Sequence, residues 1–373
     1  MRPTRAVIDL AALRDNASLI KRVSGAALCA AVKGDAYGHG AVPVARALES
    51  SGSCEVLAVS MVEEGIELRA AGIAMPILVM GPALDGGHDE LVARDLTPVL
   101  SDPSDLGRLA AIGRALGRQV PIHIKVDTGM GRLGIPVADV GPLVARALAA
   151  GGVALEGICT HFACADLPDL AAATSSVAAQ LAAFDVALAD ARAAGAAPRL
   201  VHAANSAAAF RFPAARFDMV RAGIALYGNG PVVPPVELGR LRQVMQLESK
   251  VAQIRHVSVG QAVSYGSIWR AERPSRIAVI PVGYADGYPR RLTGKAEALV
   301  HGQRCPVVGV ISMDMVLVDV TSLADDARVG DAVVLLGSQG ERSISTAELA
   351  EHAGLIEYEV TCGISRRVPR NYR

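Results

Sequence analysis

The first two-thirds of the chain alternates short apolar runs with longer segments of helical spacing, and this alternation limits the possible folds more than any other feature. The runs cover residues 27–32, 56–61, 76–80, 97–101, 120–126, 155–161, 200–204 and 219–226. Between most of them lie segments with apolar residues at helical spacing, such as 41–48, 61–71, 106–116, 137–149 and 171–194. Eight strand candidates with intervening helices over about 230 residues is the arithmetic of an α/β fold, the (β/α)8 TIM-type barrel. A doubly wound open sheet is the alternative, and periodicity alone does not separate the two. After Tyr227 the pattern changes. Gly228-Asn229-Gly230-Pro231 and Pro234-Pro235 are rich in chain breakers. Beyond them strand-like runs dominate, at 245–257, 276–282, 297–300, 307–320 and 332–336. One short helix is predicted over 345–352, with Ser345 as N-cap and Glu348 at capping-box spacing. The predicted division is a barrel over 1–235 and a mainly β domain over 236–373.

Composition removes several function classes. The 37 basic and 37 acidic residues give a formal net charge of zero, without the basic excess of a nucleic-acid-binding protein. No apolar stretch follows the early arginines Arg2 and Arg5, so no signal peptide is expected. No membrane span is expected either. The most apolar long stretch, 140–158, is broken by Arg146, Gly151, Gly152 and Glu156. Six scattered cysteines without a CxxC pair read as reduced thiols in a cytoplasmic protein. HExxH and GxSxG motifs are absent, and no metal site is expected. Gly129-Met130-Gly131-Arg132-Leu133-Gly134 matches GxGxxG, but a dinucleotide site needs an acid at the end of the next strand. Glu156 instead opens its run. The preferred reading is a glycine-rich loop that presents Arg132.

The informative pattern is positional. Lys33 and Tyr37 follow the first run. Lys125, Asp127 and Arg132 close the fifth. His161 closes the sixth, Asn205 and Ser206 follow His202 at the seventh, and Arg221 and Gly223 lie in the eighth. Barrel enzymes place their sites at the C-terminal ends of their strands. The chain has only five lysines: Lys21, Lys33, Lys125, Lys250 and Lys295. Burial in the apolar setting of Ala30-Ala31-Val32-Lys33 would lower the amine's pKa and make Lys33 a better nucleophile. Lys125 is the rival; the other three read as surface charges.

Ala31-Val32-Lys33-Gly34-Asp35-Ala36-Tyr37-Gly38-His39-Gly40 resembles the pyridoxal-phosphate attachment segment of the alanine racemases, which are fold-type III enzymes. Further matching motifs follow in order along essentially the whole chain. They are Lys125 to Gly134, Thr160-His161-Phe162-Ala163, Ala204-Asn205-Ser206, Arg221 to Gly228, Val263-Ser264-Tyr265-Gly266, Gly283 to Arg290, Ser312-Met313-Asp314 and Tyr358-Glu359-Val360. The resemblance implies a barrel plus a β domain, in a homodimer whose sites combine the barrel of one chain with the β domain of the other. It implies interconversion of L- and D-alanine by a cytoplasmic isomerase, supplying D-alanine for peptidoglycan. A racemase of serine or of a broader set of small amino acids is the alternative. It implies Lys33 as the cofactor-bearing lysine and one base, with Tyr265 of the partner as the other. His161 and Arg132 are implied as nearby cations that lower the tyrosine. Arg221 is implied to face the pyridine nitrogen. Tyr37, Ser206, Tyr358 and the N–H groups of Gly223 and Ile224 are implied to hold the phosphate, with His161 and Asn205 also in the cofactor site. Arg132 and the partner's Met313 would meet the substrate carboxylate, with Tyr284 and Tyr358 narrowing access and Asp314 in support. Lys125 is carbamylated in several family members; a plain ion pair with Asp127 is its other reading. The departure here is Gly34, where the family commonly has alanine.

Overall fold

The first strand, β1 (Arg5–Ile8), pairs outside the barrel. In the computed structural model the eight apolar runs become eight parallel strands. These are β2 (Ala27–Ala31), β3 (Val56–Val59), β4 (Ile77–Val79), β5 (Thr97–Leu100), β6 (Val120–Asp127), β8 (Val153–Cys159), β9 (Leu200–His202) and β10 (Met219–Ala222), with a two-residue β7 (Ile135–Pro136) beside β6. The structure describes residues 2–230, 239–323 and 326–373, so the breakers at Pro231 and Pro234-Pro235 lie outside the described residues. Pairing runs β10–β2–β3–β4–β5–β6–β8–β9. The two ends of that row approach through Asp218 N–H to Val201 O at 3.0 Å and Arg221 N–H to Ala204 O at 2.8 Å. A row in sequence order whose ends nearly meet is a barrel; a doubly wound sheet would reverse its order and stay open.

The barrel interior is built from small and branched side chains: Cys29, Val56, Ala58, Leu78, Val99, Cys159 and Met219 form one buried cluster, with Leu200 packed on it. Eight strands enclose just enough room for such side chains. Side chains two apart on a strand share a face. Arg221 therefore stands above Met219 and His202 above Leu200, each on the C-terminal side of the apolar layer. Outside, helix Leu170–Ala193 is long and apolar enough to cross a membrane by length and composition alone. Its Val177, Phe184 and Leu188 are buried, and so is Gln180, whose amide is fully engaged.

The chain divides into two compact units, and the division is not a single cut near residue 235. Leu13–Ala36 and Ala41–Leu241 form the barrel unit; Met1–Ala12, Tyr37–Gly40 and Arg242–Arg373 form the other. The second unit contains β11 (Met245–Lys250), β12 (Gln253–Val257), the hairpin β13 (Ala262–Val263) and β14 (Trp269–Arg270), β15 (Ser275–Ile280), β16 (Glu297–Val300), β17 (Gln303–Val308), β18 (Val316–Asp319), β19 (Ala332–Gln339), β20 (Arg342–Ile344) and β21 (Arg370–Tyr372). β1 lies between β11, antiparallel, and β21, parallel. The run 307–320, read as continuous, breaks into β17 and β18 because Ser312 N–H turns back to Met315 O at 3.0 Å. The predicted short helix forms as Thr346–Ala353, with Ser345 Oγ accepting from Glu348 N–H. Glu348 does not close the box; its carboxylate grips Arg304 at 2.6 and 2.8 Å.

One buried carboxylate organises the turn beside that break. Asp286, fully buried, accepts from Gly283 N–H at 2.9 Å and meets Arg2 at 2.7 Å and Arg367 at 3.0 Å. A Cβ on Gly283 would fall 2.3 Å from Ser312 O and 2.4 Å from Met313 O. Only glycine allows the backbone of 283–286 to bind this strand break, through Tyr284 N–H to Ser312 O and Ala285 N–H to Met313 O. Removing one partner of a buried pair strands the others. Asp286→Ala should therefore cost about 3 kcal/mol in urea unfolding. Arg367→Ala, at an exposed partner, should leave the unfolding curve nearly unchanged. Equal losses would show that Asp286 is not the organising group.

Candidate active site

Lys33 lies where β2 ends and the backbone reverses hand. Gly34, Asp35, Ala36 and Tyr37 take φ of +61°, +53°, +53° and +55°. Left-handed backbone costs about 1–2 kcal/mol for each non-glycine residue. Local bonds offset it: Ala36 N–H to Val32 O at 2.8 Å, Ala41 N–H to the Asp35 carboxylate at 2.8 Å, and Gly34 N–H to Glu64 Oε1 at 2.6 Å. Glu64 Oε2 in turn accepts from Ser60 and Met61 N–H, fixing the carboxylate. Such strain persists only where surroundings over-determine it, commonly at functional sites. The Lys33 side chain is exposed. The expectation of a buried lysine there is corrected: the residues before it in sequence are apolar, but Lys33 stands past the end of β2, beside an equally exposed Gly34.

The buried lysine is Lys125, 4% exposed on β6. Burial, with Arg132 and Arg221 nearby, lowers its pKa. Its expected ion pair with Asp127 does not form; among the described residues no hydrogen bond or ion pair holds the Lys125 amine. Asp127 Oδ1 instead accepts from Gly129 and Gly131 N–H at 3.0 and 3.1 Å. Those two bonds also dispose of the dinucleotide reading. The loop's N–H groups are taken, and the chain runs on into β7 rather than a helix. Arg132 is presented on this loop, exposed, with no ion pair among the described residues.

Arg221 is 6% exposed on β10. One terminal nitrogen donates to His202 Nδ1 at 2.9 Å and to His202 O at 3.0 Å. The other is shared by Thr160 O at 2.7 Å, Ala203 O at 3.1 Å and His161 Nδ1 at 3.1 Å. All four terminal protons are committed, and the Nε–H remains. Arginine cannot accept a hydrogen bond, so both histidine Nδ1 atoms are acceptors and each neutral ring carries its proton on Nε2. Burial and the Arg221 charge push His161 and His202 well below the usual histidine range. The expectation of His161 as a cation is therefore corrected.

Next to Arg221, Asn205 caps helix Ser206–Arg211 by accepting from Ala208 N–H at 3.0 Å. Ser206 Oγ accepts from Gly223 N–H at 3.0 Å and Ala225 N–H at 3.3 Å. A hydroxyl that accepts twice has its proton left to give to an anion. Ile224 opens the short helix Ile224–Tyr227, where first-turn N–H groups lack intrahelical partners.

The remaining expected residues belong to the second unit. Tyr37 and Tyr358 stack with ring centroids 5.9 Å apart, and burial pushes the Tyr37 phenol up, which keeps it a neutral donor. Tyr265, Met313 and Tyr284 are exposed by 71%, 52% and 42%. Asp314 pairs with Arg367 at 2.6 Å. Tyr265 lines a concavity with Ser264, Val310, Ser312, Met315 and Leu317; Ser264, at φ +65°, fixes its base by donating to Val310 O at 2.7 Å.

Two residues escaped sequence reasoning. Gln180 donates to His161 O and Thr128 Oγ1, both at 3.1 Å, and accepts from Ala163 N–H. It ties the loops after β6 and β8 to one helix. His123, on β6, meets His202 at 2.8 Å. A glutamine in an alanine-rich helix and a histidine inside an apolar run carry no motif. Their only signal is a polar residue at a position of buried spacing. Burial also lowers His123, so three histidines bind protons more weakly folded than unfolded. Their stabilisation is full above the unfolded pKa near ~6.5 and is lost as pH falls below it. The unfolding free energy from urea titration of the chain without added cofactor should drop between pH 7.5 and 5.5, by up to about 1.4 kcal/mol per proton per pH unit. A flat profile would mean that these rings are charged when folded.

Comparison with known proteins agrees with this arrangement. The family model for the alanine racemase N-terminal domain matches residues 8–231, and that for the C-terminal domain matches residues 244–372. The alanine racemase of Symbiobacterium thermophilum is 45% identical, covering 100% of this chain and 97% of that protein. That of Sorangium cellulosum is 44% identical, covering 100% of both. The solved alanine racemase of Streptomyces coelicolor superposes with a TM-score of 0.92 at 36% identity, covering 99% of this chain and 98% of that one. A solved alanine racemase from Bacillus anthracis with bound L-Ala-P gives a TM-score of 0.88 at 36% identity, covering 100% of this chain and 95% of that one. This chain belongs to the alanine racemase family of isomerases.

Proposed function

We propose that the chain interconverts L- and D-alanine with pyridoxal 5'-phosphate by a two-base mechanism, as a cytoplasmic homodimer supplying D-alanine for peptidoglycan. The observation that carries this reading is the Arg221 guanidinium. Four of its protons are committed to the barrel, and the Nε–H, which no hydrogen bond among the described residues takes, is available to an acceptor with a lone pair. An unprotonated pyridine nitrogen is such an acceptor, and an arginine in this role withholds the proton an acid would give. Ser206, with its proton free to donate, and the Ile224 N–H at the start of its short helix suit a phosphate; the family resemblance adds Gly223, Tyr37 and Tyr358. When bound, the cofactor supplies the electron sink that acidifies the α-hydrogen of an amino acid.

The chain's own groups do the rest. Lys33 attaches the cofactor and moves a proton at Nζ on the D-face. Tyr265 of the partner subunit moves one at its hydroxyl on the L-face. Its exposure in this chain suits a residue that works in a neighbour's site. Proton exchange on both faces of a planar carbon requires two bases. Arg132 receives the substrate carboxylate together with the Met313 backbone of the partner subunit. Tyr284 and Tyr358 narrow access to small side chains, and Asp314 buttresses that rim through Arg367. Lys125, buried and without an ion pair among the described residues, becomes the prop for Arg132 once carbamylated, because the modification replaces a buried cation by an anion facing the guanidinium.

Three measurements test this. Borohydride reduction of the cofactor-loaded protein should leave the pyridoxyl adduct on Lys33. An adduct elsewhere, or none, would overturn the site. Polarimetry should show racemisation of alanine, falling at least about a hundredfold in Tyr265→Phe; full speed in that variant would sink the two-base account. Carbon-13 NMR of protein equilibrated with labelled bicarbonate should show a carbamate signal that Lys125→Arg lacks. No signal in the unsubstituted protein would leave Lys125 a plain amine.

A further inference from the structure

Behind His202 the polar contacts continue to the outside of the barrel. His202 Nε2 lies 2.8 Å from His123 Nδ1. The His123 Nε2 lies 3.7 Å from Glu156 Oε2, and Arg199 holds the other oxygen of that carboxylate. Both rings are fully buried. Arg221 dictates the order of protons along this line. Its donation makes His202 Nδ1 an acceptor, so His202 donates from Nε2. His123 must then accept at Nδ1 and carry its own proton on Nε2, aimed at the carboxylate.

The backbone is built around this line. Between β6 and β8 the register slips, with Ile122 opposite Leu155 and His123 opposite Gly157. Glu156 is the extra residue of a β-bulge, a device rare in parallel sheets that re-aims a side chain. The next residue, Gly157, admits the ring: a Cβ there would lie 2.3 Å from His123 Nδ1. A bulge and a glycine at adjacent positions both serve one histidine. The carboxylate is correspondingly well held, with the His123 ring and Arg199 bringing its pKa down to about 2.

We propose that Glu156 and His123 are positioning residues for Arg221, forming with His202 a proton-ordered relay that sets the direction of the guanidinium. Glu156 favours the proton on His123 Nε2, which leaves Nδ1 the better acceptor for His202. His202 is then held at the angle Arg221 requires. The consequence for racemisation rests on the reading of Arg221 as the partner of the ring nitrogen; the proton order does not.

The test has two arms. Nitrogen-15 histidine NMR of the full chain without cofactor should show His123 and His202 neutral and protonated on Nε2 at pH 7. Either ring charged, or protonated on Nδ1, overturns the relay. In the cofactor-loaded enzyme His123→Leu should lower kcat for L-alanine about tenfold, the order of an outer-shell loss, with KM changed less than about twofold. His123→Asn, whose side-chain oxygen can accept from His202, should recover at least half of the wild-type kcat. Glu156→Gln should fall between the two. Equal impairment of the leucine and asparagine variants would mean that His123 only fills space, and unimpaired variants would mean that the relay does not govern Arg221. If the unsubstituted enzyme does not racemise alanine, the proposed function fails while the NMR arm still reads the relay.

Discussion

Arg221 carries a positive charge into the barrel with no carboxylate among the described residues to meet it. Burying such a charge is costly unless every donor is satisfied. The barrel meets that demand for the four terminal protons with main-chain oxygens at the ends of β8 and β9 and with two imidazole nitrogens. Much else follows from this choice. Acceptor nitrogens must stay neutral, so His161 and His202 cannot be acids or cations at neutral pH. Carbonyls at a strand end are free to accept because the lateral pairing of the sheet stops there. The polar layer therefore sits at the C-terminal ends of the strands, above a floor of Cys29, Cys159 and Met219. A carboxylate in place of these acceptors would neutralise the guanidinium and change the chemistry it imposes on a ring nitrogen.

The two lysines show why sequence context is a poor guide to the state of an amine. Lys33 follows an apolar strand and reads as buried; Lys125 stands near Asp127 and reads as paired. The structure exchanges those descriptions. The first stands exposed past the end of β2. The second points inward from β6, while Asp127 is committed to the N–H groups of its own loop. Where a strand stops and whether a carboxylate is captured locally are decisions of a few residues, and they leave no periodic trace.

Other parts of the fold were legible because they are periodic. Eight apolar runs fixed the barrel strands to within a few residues, and the loss of helical spacing after Tyr227 marked the β-rich region. Strand ends such as Lys125, His161 and Arg221 followed from the barrel geometry. What was not legible depends on distant pairing. β1 finds β11 and β21 across more than two hundred residues of chain, and three apolar residues after an arginine cannot name their partners. The break at Ser312 hid inside a continuous apolar run, because its cause is a main-chain turn clasped by Gly283 and Asp286. Gln180 was hidden by its helix, whose other polar residues face solvent.

Three local backbone irregularities in this chain lie beside residues of the site or of the histidine line behind it. The left-handed turn follows the strand that ends in Lys33, the bulge at Glu156 re-aims a carboxylate toward His123, and the strained Ser264 precedes Tyr265. Regular strands deliver side chains only at fixed heights and on alternate faces. A residue needed between those positions requires a departure from regularity, and each departure costs stability unless neighbouring groups hold it. Here the holders are specific: Glu64 and Asp35 for the turn, Arg199 and Gly157 for the bulge, Val310 for Ser264. Irregular backbone with dedicated holders marks where the fold yields regularity to chemistry, and in this chain that criterion selects His123 as readily as it selects Lys33.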